Sequence, residues 1–280
     1  MRKTLLLLGS LAVSCANLDG FLFNPTPLAA YTLPYDTDAP AEWRVAADQY
    51  EAITARAADG TTVYGYYLHQ PGPAAATAPT VLYCHGNADN IDRYWTRAGH
   101  LHALGANVLI FDYRGYGRTA GTPTEDGVYQ DARAMLTLLR AAPYSVAPAR
   151  LYLYGYSLGG AVATELAAHD GPNAGLVLES TFANAAALVE DGSLFVSRAL
   201  VSGIVFDTRG KIAQAAQNAA AGVLLFHGTA DDFVQPSNSE RIAAAIPAAL
   251  HHELVRVSGA DHGTVPHGPV YDPALRGFLR

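Results

Sequence analysis

The sequence has 280 residues, of which 50% are hydrophobic and 15% are charged, so the chain can bury a large core and is not disordered as a whole. Its 18 Lys and Arg residues against 25 Asp and Glu residues give a net charge of −7, which argues against a nucleic-acid-binding groove. The two cysteines, Cys15 and Cys84, are too few for a disulfide scaffold or a thiolate zinc site.

The first residues have the pattern of an export signal. Arg2 and Lys3 precede an apolar run of about nine residues, which is typical of secretory signals and too short to span a membrane. The run leads into Ala12-Val13-Ser14-Cys15-Ala16, which resembles a bacterial lipobox, although Leu is commonest where Ala12 stands. The resemblance implies that residues 1–14 are a signal peptide and that Cys15 is lipidated. We therefore expect a protein of the bacterial cell envelope, anchored to a membrane through Cys15.

Two alternatives stay open for this segment. Cleavage after Ala16 also satisfies the signal-peptide rules and would give a secreted or periplasmic soluble protein. The segment would otherwise be an uncleaved apolar tail with a chance cysteine. The mature chain is acidic, so acyl chains rather than charge would hold it on an anionic membrane.

Strands and helices alternate after a Pro-containing linker or strap over residues 15–48. Short apolar strands separated by helices predict an α/β domain over residues 49–280, with a mostly parallel sheet and helices on both faces. The turn at Asp59-Gly60 predicts a hairpin and therefore an antiparallel N-terminal edge. The predicted strands cover residues 50–56, 61–69, 80–84, 107–111, 151–154, 176–178, 223–226 and 252–257, and the predicted helices cover residues 94–104, 124–139, 158–169, 237–245 and 269–279.

A long insertion separates two of the predicted strands. Residues 182–222 are too many for one crossover helix and too few for a domain. We expect a small helical cap over the carboxyl edge of the sheet, and the alternative is a pair of packing helices with no part in the site.

A nucleophile-elbow motif stands at Gly155-Tyr156-Ser157-Leu158-Gly159, between a predicted strand and a predicted helix. The sharp turn exposes the serine Oγ, the glycines leave room for it, and the helix N-terminus favours a developing oxyanion. With this motif the chain resembles the α/β-hydrolase-fold serine hydrolases over residues 50–280. It looks most like the small lidless members, which include esterases and membrane-associated thioesterases.

The resemblance implies a catalytic triad of Ser157, Asp231 and His262, in the chain order of that fold. Asp231 matches the acid in the pattern H-G-x-x-D-x-x-V, and its neighbour Asp232 is the alternative acid. His262 follows the last predicted strand, and His267 is its nearest competitor.

The resemblance also implies an oxyanion hole formed by the backbone N–H groups of Leu158 and Asn87. His85 and Gly86 would shape the loop that carries Asn87. The stretch from Asp112 to Gly117 matches a family loop beside the pocket, and we interpret it as loop architecture rather than as a source of catalytic groups.

Hydrolysis of a carboxylic ester or thioester through an acyl-enzyme is the leading functional prediction. It needs no cofactor and no metal, and its substrate would be a small-molecule or lipid-like ester. The adjacent His251 and His252 lack the spacing of a known metal motif. A serine peptidase or amidase on the same fold, and a catalytically silent interaction module of the envelope, are the alternatives. The sequence does not determine the oligomeric state.

Overall fold

The computed structural model describes residues 22–191 and 206–280. Its strands are β1 (Asn24–Pro25), β2 (Tyr50–Arg56), β3 (Thr62–Leu68), β4 (Thr80–Cys84), β5 (Ala88–Asp89), β6 (Asn107–Phe111), β7 (Leu151–Tyr156), β8 (Gly175–Glu179), β9 (Val223–Gly228) and β10 (His252–Val257). Its α-helices are α1 (Ala74–Thr77), α2 (Ile91–Ala103), α3 (Glu125–Arg140), α4 (Leu158–His169), α5 (Ala185–Glu190), α6 (Thr208–Asn218), α7 (Ser237–Ala243) and α8 (Tyr271–Phe278).

Eight of these strands form one sheet across the described residues, in the order β10-β9-β8-β7-β4-β6-β3-β2. Neighbouring strands from β10 to β6 are parallel, whereas β3 runs antiparallel to β6 and β2 runs antiparallel to β3. The short β1 pairs in parallel with β5 outside this sheet. The predicted α/β fold class, with its antiparallel N-terminal edge, is confirmed.

Buried residues form a hydrophobic core on each face of the sheet. Successive residues of β4 alternate between the two cores: Leu82 belongs to one and Tyr83 to the other. Helices α3, α4 and α6 contribute to the first core, and α2 and α8 contribute to the second. The sheet is therefore covered on both sides, which explains why its central strands are continuously apolar.

Local hydrogen bonds explain where several elements begin. The Asp59 side chain accepts from Thr61 N at 3.0 Å and closes the turn between β2 and β3. The Thr124 side chain caps α3 by accepting from Gly127 N at 3.1 Å. Helix α2 begins three residues before its predicted start because the Asn90 side chain caps it by accepting from Asp92 N.

The predicted signal peptide and Cys15 lie outside the described residues, as do residues 192–205 of the predicted cap. On either side of that gap stand α5 and α6. Helix α6 packs against α4 and buries Ile212 and Ala215 in the core on that side of the sheet. The cap over residues 182–222 stays a prediction. None of the described helices is long and apolar enough to cross a membrane.

The two ends of the described chain lie at different edges of the sheet. The first described residues run beside the loop after β4, where Asn24 N donates to Asn87 O at 2.9 Å. The last residue, Arg280, accepts through its main-chain oxygen from Tyr152 Oη at 2.9 Å. Tyr152 stands near the beginning of β7, so Arg280 lies at the amino edge of the parallel strands.

Candidate active site

The side chains that the motifs single out follow the carboxyl ends of parallel strands. Ser157 comes directly after β7, Asp231 follows β9, His262 follows β10, and the loop with Asn87 follows β4. Carboxyl ends of parallel strands meet at one edge of a sheet, and ligands bind there in open α/β folds. The fold therefore brings together residues that are more than a hundred positions apart.

The turn at Ser157 is strained and tightly packed. Its backbone has φ 53° and ψ −118°, a left-handed conformation that non-glycine residues rarely adopt. Ser157 N donates to Glu179 O at 2.9 Å, and Thr181 Oγ1 donates to Ser157 O at 2.7 Å. A Cβ at Gly159 would lie 1.9 Å from Cys84 O, so only glycine allows α4 to approach β4 this closely.

Ser157, His262 and Asp231 form a continuous chain of hydrogen bonds. Ser157 Oγ lies 3.1 Å from His262 Nε2, and His262 Nδ1 lies 2.8 Å from Asp231 Oδ2. The Asp231 carboxylate fixes the proton on Nδ1, which leaves Nε2 free to accept from the serine hydroxyl. This arrangement has the geometry of a serine nucleophile with its general base and orienting acid.

The surroundings of Asp231 keep its carboxyl group ionised. Asp231 is only 2% exposed, and its Oδ1 accepts from Phe233 N at 3.0 Å and Val234 N at 2.8 Å. Burial opposes ionisation, but hydrogen bonds from His227 and His262 outweigh it and hold the pKa of Asp231 well below its usual range.

The two competing residues lie away from this chain of hydrogen bonds. Asp232 is exposed next to the buried Asp231. His267 is exposed, and its ring packs against Trp43, with 5.5 Å between the ring centroids.

The loop after β4 is held in place from two sides. Tyr113 Oη donates to His85 O at 3.0 Å, and Tyr116 Oη donates to Asn87 O at 2.8 Å. Asn24 N donates to the same Asn87 oxygen from the N-terminal segment. On the other side of the site, Leu158 is the first residue of α4, where a backbone N–H has no acceptor within its helix. Asn87 thus follows β4 and Leu158 directly follows Ser157, as the predicted oxyanion hole requires, and the donor role of the two N–H groups stays a prediction.

An open cleft of about 690 Å³ lies beside His262. It carries charges of both signs, with guanidinium groups from α2 and carboxylates from the N-terminal segment and from the region around the N-terminus of α2. Its lining residues are Leu28, Pro34, Asp36, Asn87, Ala88, Asp89, Asn90, Asp92, Arg93, Tyr94, Arg97, Tyr156, Phe233, His262 and Gly263.

Across residues 22–191 and 206–280, no group of three or more His, Cys, Asp or Glu side chains is arranged to hold a metal ion.

Residues 75–202 match the protein-family model described as serine aminopeptidase, S33. An uncharacterised protein of Mycobacterium tuberculosis is 34% identical over 255 residues, which cover 91% of this chain and 83% of that protein. An esterase of Pyrococcus furiosus has a similar structure, with a TM-score of 0.68 and 18% identity over 92% of this chain and 97% of that one. The chain belongs to the α/β-hydrolase family. Lysophosphatidylserine lipase ABHD12 of Danio rerio is 39% identical over 118 residues, which are 38% of this chain and 28% of that protein.

Several residues at the site of this α/β hydrolase were not identified by motif. Leu28, Pro34 and Asp36 come from the N-terminal segment, which the sequence predicted only as a linker or strap. Arg97 and Glu179 form a 2.7 Å ion pair beside the site. The sequence could have pointed to Glu179, because it directly follows the predicted strand over residues 176–178 and a buried carboxylate needs a partner.

Proposed function

We propose that this α/β hydrolase cleaves carboxylic ester or thioester bonds through an acyl-enzyme on Ser157. The proposal rests on the hydrogen-bond chain from Ser157 Oγ to His262 Nε2 and from His262 Nδ1 to Asp231, with distances of 3.1 Å and 2.8 Å. A serine with only a structural role does not require a histidine partner that is itself hydrogen-bonded to a buried, ionised carboxylate.

The first half of the reaction forms the acyl-enzyme. Ser157 Oγ attacks the carbonyl carbon while His262 Nε2 removes its proton, and Asp231 stabilises the resulting imidazolium. The negative charge on the carbonyl oxygen faces the backbone N–H groups of Leu158 and Asn87. When the tetrahedral intermediate collapses, His262 donates the proton to the leaving alcohol or thiol.

The second half releases the acyl group. Water enters where the leaving group departed, and His262 removes a proton from it as it attacks the acyl carbon. The same N–H groups stabilise the second tetrahedral intermediate, and Ser157 is regenerated. His262 gives the proton taken from water to Ser157 Oγ as the second intermediate collapses, so one imidazole carries the proton transfers of both halves.

The cleft favours an ester with a polar portion. It is open, and charged groups of both signs line it, including Asp36, Asp89 and Arg93. The Danio rerio relative is named for an ester of this kind, a lysophospholipid. A lysophospholipid therefore belongs among the test substrates, together with simple esters of increasing acyl length.

A serine peptidase is the second candidate, because the matching family model is named for a serine aminopeptidase. His262 would protonate an amide leaving group in the same way as an alcohol. Turnover of aminoacyl p-nitroanilides in preference to p-nitrophenyl esters would favour this candidate over the esterase.

The test compares the purified protein with its Ser157→Ala variant on p-nitrophenyl esters from acetyl to palmitoyl. We expect turnover by the wild type and a loss of at least ~10⁴-fold in kcat in the variant, since the nucleophile is removed. A fluorophosphonate probe should label the wild type and not Ser157→Ala. Turnover that survives in Ser157→Ala would contradict the proposal. A wild type that neither labels nor turns over would point to a silent interaction module.

A further inference from the structure

A buried ion pair near the site has no part in the reaction scheme. The Glu179 side chain is fully buried, and its Oε1 accepts from Arg97 Nη1 at 2.7 Å. Its other oxygen accepts from Tyr154 Oη, which lies 2.6 Å from Tyr271 Oη. Removing two charges from water costs several kcal/mol per ion, roughly, so such a pair is weak evidence for stability.

The opposite side of Arg97 contacts the loop that carries the catalytic histidine. Arg97 Nη2 donates to Gly263 O at 2.7 Å. The guanidinium carbon lies 4.0 Å from the centroid of the Tyr156 ring, and Tyr156 Oη donates to His262 O at 3.1 Å. Burial raises the pKa of Tyr156 to about 12, so this hydroxyl stays a donor at neutral pH. Two side chains thus hold consecutive carbonyl groups, those of His262 and Gly263.

Glu179 also holds the nucleophile turn through its backbone. Its carbonyl oxygen accepts from Ser157 N at 2.9 Å, while its carboxylate binds Arg97. One residue at the end of β8 is therefore bonded to the serine on one side and, through Arg97, to the histidine loop on the other. That loop is otherwise exposed at Asp261 and Gly263, and Gly263 N donates within the loop to Asp261 Oδ1.

We propose that Arg97 is a positioning residue that holds His262 at hydrogen-bonding distance from Ser157. It does so through the sequence of contacts from Glu179 to Arg97 to Gly263, which we name the Arg97 bridge. The proposal rests on the proposed function, because it assigns the bridge to the same triad. A displacement of about 1 Å in a catalytic group costs on the order of 10²-fold in rate, so a bridge of this kind affects kcat directly.

The test replaces Arg97 by Met, which keeps an unbranched side chain and removes the donors to Glu179 and Gly263. Active sites are counted by fluorophosphonate titration, and kcat is expressed per titrated site. We expect kcat per site to fall on the order of 10²-fold with KM little changed, because the His262 ring moves away from Ser157 while the imidazole itself stays intact. Arg97→Lys should recover part of the loss, since a single ammonium group reaches one acceptor in place of two.

Arg93→Met is the matched control. Arg93 stands one helical turn before Arg97 and lines the same cleft, but within the described residues its side chain pairs with Asp89 at 3.6 Å and has no hydrogen bond to the His262 loop. The variant therefore removes one positive charge from the cleft and leaves the Arg97 bridge intact. An equal fall in kcat in Arg93→Met and Arg97→Met would overturn the proposal, because cleft charge alone would then explain the effect.

The remaining outcomes separate this proposal from the proposed function. Suppose that the wild type turns over esters and Ser157→Ala does not, while Arg97→Met keeps full kcat per titrated site. The proposed function is then supported, and the positioning role of Arg97 is overturned. A lower melting temperature with unchanged kcat per site would give Arg97 a structural role only and would overturn the proposal. If Arg97→Met does not fold, because Glu179 is left unpaired, the neutral double variant Arg97→Met with Glu179→Gln should show the same loss in kcat per site.

Discussion

Cys84 lies near the proposed nucleophile, Ser157, but its environment keeps its thiol unreactive. It is the last residue of β4, and its carbonyl oxygen meets the turn that carries Ser157 at Gly159. The side chain is completely buried in the hydrophobic core. Burial raises the pKa of the Cys84 thiol, so the nucleophilic thiolate does not form at neutral pH. Its contribution is packing, as expected of a small hydrophobic residue.

We therefore predict that Cys84 resists alkylation in the folded protein. In a Cys15→Ser chain at neutral pH, iodoacetamide should leave the native protein unmodified by intact mass and should add one group after unfolding in urea. Ester turnover should be unchanged by the reagent, because Ser157 carries the reaction. Rapid modification of the native chain together with loss of turnover would show that the thiol is accessible and would contradict the burial argument.

The N-terminal segment over residues 22–48 acts as a strap across the site. Its backbone donates from Asn24 N to Asn87 O at 2.9 Å and from Thr26 N to Asp89 O at 3.0 Å. A second attachment lies further along, where Thr32 N and Leu33 N donate to the Asp92 carboxylate. The element that carries the proposed oxyanion donor Asn87 is thus paired along its length with a segment from outside the main sheet.

Tyr31, which is half-buried, anchors this strap to a buried carboxylate. Its hydroxyl donates to Asp112 Oδ2 at 2.6 Å and accepts from Arg118 N at 3.1 Å. Asp112 has no exposed surface, and its other oxygen accepts from Ile91 N at 2.9 Å. Burial, and then the Asp112 carboxylate, raise the pKa of Tyr31, so the hydroxyl remains a donor.

We predict that Tyr31→Phe lowers the free energy of unfolding by about 1.5–3 kcal/mol, because a buried carboxylate loses a hydrogen bond. Urea unfolding followed by circular dichroism measures the change. Tyr64→Phe is the matched control, since Tyr64 packs under Arg118, with 4.4 Å from the guanidinium carbon to the ring centroid, and keeps that contact as Phe. Its effect should stay within about 0.5 kcal/mol. Equal effects of the two variants would show that the bond to Asp112 contributes nothing measurable.

At the scale of the whole molecule, we expect stability to depend on pH through Asp231, the acid of the proposed triad. The pKa of Asp231 is lower in the folded protein than its ordinary value of about 3.9 in an unfolded chain. The ionised Asp231 carboxylate therefore contributes fully to the free energy of unfolding above that ordinary value, and its contribution is lost as the pH falls toward the folded-state pKa.

We predict that Asp231→Asn flattens the acid side of the stability profile. Below about pH 4 the wild type should lose stability with falling pH more steeply than the variant, by up to about 1.4 kcal/mol per pH unit, because the variant lacks the carboxylate that takes up a proton on unfolding. Urea unfolding at a series of pH values measures both slopes, and Asp232→Asn, an exposed neighbour, should follow the wild type. Parallel slopes for Asp231→Asn and the wild type would contradict the argument.

Short-range patterns in the sequence predict most of this fold and the candidate triad. The strand at residues 107–111 and the helix at residues 158–169 follow from apolar runs and a glycine-rich turn, and both have the predicted bounds. Ser157, Asp231 and His262 each stand in a motif of a few residues, and the structure brings the three together.

Contacts between distant residues explain what the patterns do not predict. Arg97 and Glu179 are 82 positions apart, and nothing near either residue indicates the other. The strap could be recognised only as a Pro-containing segment, because the hydrogen bonds that hold it go to residues some 60 positions away, such as Asn90 and Asp92. A local pattern records which face of an element is apolar, but it does not record which buried charges meet after folding.

The opposite placement of Arg280 and of the first described residues has a practical consequence for how this protein is labelled. Arg280 is bonded to Tyr152 at the amino edge of the sheet, whereas Leu28 and Pro34 of the strap line the cleft at the carboxyl edge. A purification tag, a fluorescent reporter or a link to a solid support attached after Arg280 therefore starts at the far side of the domain from Ser157. The same addition placed just before residue 22 starts beside the loop that carries Asn87, at the edge where the cleft opens.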